Sequence, residues 1–225
     1  MVTAAIRLAD RDGADALSMR NLARELGVGA MTLYSYVQHR EELVDLMFDR
    51  IAQAILLTDE ELAADWREAA ATMARKSLRM FTEHLWLIDE VHHERASFTP
   101  SMVRHAEQTM TIVAKLTDDW KRGLYVFGAL DDYVFGHALR SVHHVDENFE
   151  ALIPYLEEML ETGDFPHLKR YRDLHGYDIA APDAFEQGLQ VVLEGIEGSV
   201  ASVPSQETPM KSASQNRRSQ GHRSR

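Results

Sequence analysis

A chain of 225 residues, 45% apolar and 27% charged, can build a packed core as one large or two small domains. It has no cysteine, which excludes disulfides, thiolate chemistry and cysteine zinc sites, and no apolar run long enough for a bilayer; with no signal-peptide pattern, a cytoplasmic protein is expected. The net charge of −12 argues at first against nucleic acid, but residues 1–57 carry only −2 and residues 202–225 carry +4, so the acidity (−14) lies between them.

Nearly every segment reads as helix, and the fold class expected is all-α. Val2 to Asp12 places Ile6, Leu8 and Ala9 at helical spacing and stops at Gly13. Ser18 is a good N-cap for a helix to Leu26, with Met19, Leu22, Ala23 and Leu26 inward and Gly27 suited to the left-handed stop. A second short helix is predicted over Ala30–Val37, and a third from Arg40 to about Leu57. Thr58 to Ala64 reads as an acidic joint. Longer helices follow over Asp65–Glu83, Thr99–Leu116, Thr117–His144, Asn148–Glu161 and Pro182–Val200. Prolines 100, 166 and 182 fall at helix starts, where a missing N–H costs nothing. No segment shows the alternation of a half-buried strand. From Ser202 the chain is polar and Ser-rich, with a disordered basic tail expected.

In "SMRNLARELGVGAMTLYSYVQHREELVDLMF", residues 18–48, small or apolar side chains at Leu22, Ala23, Leu26, Val28, Leu33 and Val37 let two helices meet closely across a tight turn. That is the helix-turn-helix arrangement, although a helical hairpin in any α protein has the same spacing. The wider stretch resembles the tetracycline-repressor (TetR) family of bacterial transcription regulators: an initial helix ending in "DG", then "LSMRNLARELGV", "TLYSYV" and a helix opening at a basic residue. "FGALDDYVFGHALRS" (127–141) and "DAFEQGLQVVLEGIE" (183–197) resemble the two dimer-forming helices of the subfamily nearest tetracycline repressor.

The resemblance implies three regions: a helix-turn-helix DNA-binding domain at 1–50 with a connecting helix to about 57, a ligand-binding and dimerisation bundle at 58–201, and the tail at 202–225. It implies a homodimeric repressor that binds a palindromic operator on double-stranded DNA and is released by a small molecule. Arg20 would reach a phosphate or a guanine edge. Gly29, Ala30, Met31 and Thr32 would open the recognition helix toward bases and nearby phosphates, and Tyr34, Tyr36 and Arg40 would contact phosphates. Phosphate contacts fix register, while Ala30 and Met31 offer only apolar contact, for instance to a thymine methyl. Family members carry a basic arm ahead of the first helix, whereas the numbering here starts inside that helix; the basic tail is expected to supply part of the same attraction.

Within the bundle, Met73, Ser77, Met80 and His84 fall on one side of a helix, Met102, His105 and Thr109 on a second, and Phe127, Asp131 and Val134 on a third. As pocket residues they would suit a flat aromatic or polyketide-like ligand, with Trp86 close by; as plain core they need no ligand. Gly128 and Gly136 on one helix and Gly188 and Gly195 on another would let the dimer helices approach closely. No cofactor or metal is expected. The pairs His92-His93 and His143-His144 point to different sides of a helix, and Arg140 stands where the family's drug-bound magnesium would call for an acid. An enzyme built on Asp131-Asp132 and His137 lacks a nucleophile elbow, a phosphate loop or an H-E-x-x-H pair. A dimeric small-molecule binder without DNA binding is the other alternative.

Overall fold

The computed structural model describes residues 1–88, 98–142, 149–177 and 183–201. Among them there is no strand, and the helices fall into a small N-terminal head and a larger bundle. The tail from residue 202, His92-His93 and His143-His144 lie outside the described residues.

The head is α1 (Val2–Asp12), α2 (Met19–Leu26), α3 (Ala30–Tyr34) and α4 (Arg40–Ala52). Ser18 caps α2 by accepting the Asn21 N–H. Gly27, at φ +67°, ends it: its N–H donates to Arg24 and that of Val28 to Ala23. This double bond is a Schellman stop, and it aims the chain into α3. Helix α3 is shorter than predicted. The chain turns at Ser35–Val37, where the Tyr36 and Val37 N–H groups both donate to Leu33. The core between the helices holds Ala5, Leu8, Leu22, Ala23, Leu33, Val37, Leu43 and Met47, all buried.

The predicted joint is itself helical. Helix α5 (Asp59–Ala63) opens with a capping box in which Thr58 and Glu61 each bond the other's backbone N–H; the S/T-x-x-E pattern that encodes it stands in the sequence. There follow α6 (Trp66–Glu83), α7 (Pro100–Leu116), α8 (Trp120–Val142), α9 (Phe149–Glu161), α10 (Pro166–His175) and α11 (Ala184–Ala201). Of helix α10 only the start at Pro166 was read from sequence, since its face is polar; ion pairs from Lys169 and Arg172 to Glu161 and Glu157 pin it to α9.

Side-chain ties set the bundle's register. Helices α6 and α7 are antiparallel, with Thr109 against Met73 and Lys115 donating to the carbonyls of Leu62 and Ala64. Helix α8 runs antiparallel to α7, so close that a Cβ on Gly123 would meet Val113 Cγ1 at 2.5 Å. The rings of Phe81 and Phe135, 5.5 Å apart, tie α8 to α6. Helix α11 crosses both: Arg67 pairs with Glu197 and Arg75 with Glu186, while Arg122 bonds the Ser199 carbonyl and Tyr133 that of Phe185. The second core, including Ala70, Met73, Ile112, Phe127, Leu130, Leu189 and Leu193, lies between these four helices.

Candidate nucleic-acid interface and ligand site

On the head's outer side the structure leaves exposed most of the residues that sequence assigned to DNA. Arg20, Gly29, Thr32 and Tyr34 are exposed, Met31 and Tyr36 are 80% and 71% exposed, and Ala30 is half-buried. Large apolar and aromatic side chains this open have no packing role, which is what a surface reserved for another molecule looks like. Arg40 is a correction. Its guanidinium turns inward and donates to the carbonyls of Leu17 and Ala14, 3.2 Å from each. The Ala14 carbonyl also accepts the Leu17 N–H that closes the turn before α2, so the arginine adds a second bond there, satisfies the Leu17 carbonyl and ties α4 to the rest of the head.

Two expected ligand residues, Met80 and His84, do not line the bundle interior, nor does Trp86, expected close by. Helix α6 ends at Glu83, so its last turn projects out of the bundle and into the head's core, where Met80, Trp86 and Leu87 are buried. His84 Nδ1 lies 2.7 Å from Asp10 Oδ1 of α1, and Trp86 Nε1 donates to the same oxygen at 2.8 Å. Met80, His84 and Trp86 therefore join the two units instead of facing a pocket.

Sequence reasoning missed the other half of this junction, Asp10 and Gln108. Gln108, on the buried stripe of α7, clasps Leu57: its Oε1 accepts the Leu57 N–H and its Nε2 donates to the Leu57 carbonyl, both at 2.9 Å. A glutamine among Thr109, Ile112 and Val113 was the signal. Asp49 of α4 accepts the Ser101 N–H, and that bond holds its carboxyl below the ordinary value.

The remaining ligand candidates do converge. Met73, Thr109 and Phe127 are buried and share one level of the bundle. One turn along each helix, the register puts Ser77, His105 and Asp131 at the next level, with Met102 a turn beyond His105. His105 Nε2 is buried without a hydrogen-bond partner, and burial pushes its pKa down, toward neutral imidazole. Asp131 lies between Phe127 and Phe135, on the flank of α8 that meets α6. Its side chain is exposed, yet the neighbouring helices remove enough water to push its carboxyl up to about 6, with repulsion from Asp132 adding.

The glycines divide as well. A Cβ on Gly128 or Gly195 would meet nothing within 4 Å, and one on Gly136 only the Arg140 side chain at 3.8 Å. Gly188 is filled from within its own subunit: a Cβ there would lie 2.2 Å from the Tyr133 hydroxyl. Its place in a dimer contact is corrected to α8–α11 packing.

Residues 2–47 match the family described as bacterial regulatory proteins, tetR family, and residues 60–200 match the tetracyclin repressor-like C-terminal domain. This chain belongs to the TetR family. The HTH-type transcriptional repressor DrrR1 of Streptomyces coeruleorubidus is 33% identical over 222 residues, covering 93% of this chain and 80% of that protein. The crystal structure of apo ActR from Streptomyces coelicolor superposes with a TM-score of 0.69 at 28% identity, over 89% of this chain and 96% of ActR. ActR in complex with actinorhodin superposes equally well at 27% identity, over the same shares. In this TetR-family regulator the tetR-family match falls on the head and the tetracyclin repressor-like C-terminal match on the bundle. No described helix is long and apolar enough to cross a membrane.

Proposed function

We propose that this TetR-family regulator represses transcription as a homodimer on a palindromic operator and is released when a small aromatic molecule lodges in the bundle at the level of Met73, Thr109, Phe127, Ser77, His105 and Asp131. The observation that carries the reading is the continuity between the two units. Ser77 and Met73 lie on the same helix, α6, whose last turn is buried in the head's core and bonded to α1 through Asp10. A ligand that prefers one placement of α6 thereby prefers one placement of the head, and it loosens DNA only by that difference in affinity. The ActR–actinorhodin complex supports an aromatic polyketide-like ligand.

Two-fold pairing through α8 and α11 is supported by the exposed Leu124 and Tyr125 on α8, Val191 on α11, and the open Gly128 and Gly195 beside them. Arg20, Thr32, Tyr34 and Tyr36 would face the operator, with half-site centres roughly one helical turn (~34–36 Å) or a multiple apart. Fluorescence anisotropy on the promoter region beside its own gene tests this. A dimer is expected to bind in a salt-dependent way and to be released by candidate aromatic compounds. Binding as tight by a monomer, or no binding to that region, would remove the assignment.

A further inference from the structure

The outer face of the head is unusual in what it lacks. From Val28 to Tyr36, the stretch that holds α3, no side chain is charged and none carries an amide. Val28 and Met31, three residues apart, are both exposed, and Met31 is more open than any other large apolar side chain of the head. Ser35 turns its hydroxyl back onto the Thr32 carbonyl, 2.7 Å away. On α2, the Asn21 amide donates to the Ala16 carbonyl and accepts from Arg24. Gln38 and His39 come only after the chain has turned at Ser35–Val37, and they lead into α4. A thioether chain thus stands in solvent at the opening of α3, with the Thr32 hydroxyl as its polar neighbour in that turn.

We propose that Met31 reads thymine methyl groups, so that each operator half-site is specified under α3 by apolar contact rather than by a hydrogen-bond pattern. This rests on the reading that the head binds an operator. Thymine is the one base with an apolar group, its C5-methyl, on the major-groove edge. A thioether is at most a weak acceptor. Against an adenine or guanine edge it would take donors and acceptors out of water and return no bond. Against a methyl, two apolar groups leave water together, and the unbranched chain can adapt to the place where the methyl lies. The hydrogen-bonded share of the readout falls to Thr32 and to Arg20 of α2, which is exposed and can take a guanine edge.

The experiment uses the full chain and the promoter region beside its own gene, copied once with thymidine and once with deoxyuridine throughout. Uracil keeps every hydrogen-bonding group and phosphate and removes only the methyls. Affinities are read by fluorescence anisotropy at one salt concentration. The parent is expected to bind the uracil DNA about fourfold more weakly for each methyl lost, the effect of one buried CH₂, and about tenfold or more across two half-sites. Met31→Ala, at so exposed a position, leaves the fold intact; it is expected to weaken binding to the thymine DNA and to lose most of the difference. Tyr36→Phe, which removes a hydroxyl from the phosphate-facing surface, is expected to weaken both DNAs equally and keep it. If the parent binds the two DNAs alike, if the difference survives Met31→Ala, or if Tyr36→Phe erases it as fully, the thymine reading is overturned and operator binding stands. If the parent binds neither DNA, the operator reading falls, and the role of Met31 with it.

Discussion

Arg20 and Arg40 sit on the same head, and their side chains do opposite work. Arg20 is exposed, whereas Arg40 spends its guanidinium on the carbonyls of Ala14 and Leu17. Arg20→Ala should therefore weaken operator binding and lower the slope of log affinity against log salt by about one, the count for one phosphate contact. Arg40→Ala should instead lower the unfolding free energy by about 1–3 kcal/mol, because the tie from α4 to the Ala14 and Leu17 carbonyls is lost. Melting curves beside a salt series separate the two; a reduced slope with unchanged stability in Arg40→Ala would return that residue to the DNA surface.

Asp131 makes a second residue-scale prediction. Its carboxyl titrates at about 6 in the folded protein against an ordinary 3.8. Below 3.8 both folded and unfolded chains hold the proton. Between the two values the unfolded chain releases it while the folded one keeps it, so rising pH favours unfolding, and above 6 the cost stays constant. Asp131→Asn should leave stability unchanged near pH 4 and raise it near pH 7 in the ligand-free protein. Urea melts at the two pH values decide; equal stability at both would mean that the carboxyl carries no burial cost.

Among the elements, α8 and α11 are held by a glycine that sequence alone placed in the wrong contact. Gly188 lets α11 close on Tyr133, whose hydroxyl donates to the Phe185 carbonyl and whose ring stacks on Phe185 at 5.5 Å. Even a methyl group there forces Tyr133 aside. Gly188→Ala should lower stability by about 1–3 kcal/mol, the usual cost of overpacking, and should do so equally at all protein concentrations. A loss that disappears as concentration rises would return Gly188 to the subunit interface, since dimer stability depends on concentration. Helix α5 shows the reverse case. Its capping box was readable from Thr58 and Glu61, but the run of acids around it looks like a solvated joint until Lys76 bonds Glu61 across to α6.

At the scale of the whole molecule, head and bundle meet through Asp10, Asp49 and Gln108 rather than through the α4 connection alone. Asp10 is the point where α1 answers α6. Removing it leaves Trp86 Nε1 and His84 without their acceptor, while the bundle interior and the head's outer face keep their residues. Asp10→Ala should retain effector binding measured without DNA, yet reduce the factor by which effector weakens operator binding, from the usual allosteric range of about 5–150-fold toward unity. The same release factor in parent and variant would show that α4 alone carries the signal.

The helices of the head, the glycine stop at Gly27, the capping serine and the long helices were all legible in the chain, because each depends on spacing within a few residues: apolar positions three and four apart, a cap at one end, a left-handed glycine at the other. The exposure of Met31 and Tyr36, which we propose face the operator, was legible for the same reason, as apolar and aromatic groups off the packed face. What only the tertiary structure decided is which partner each side chain found across the fold. His84 and Asp10 are 74 residues apart, Gln108 and Leu57 are 51 apart, and Arg40 reaches back 26 to Ala14. Helical periodicity says that a residue faces inward, but it carries no information about what lies opposite. That is why Met80 and His84 read as pocket and proved to be junction.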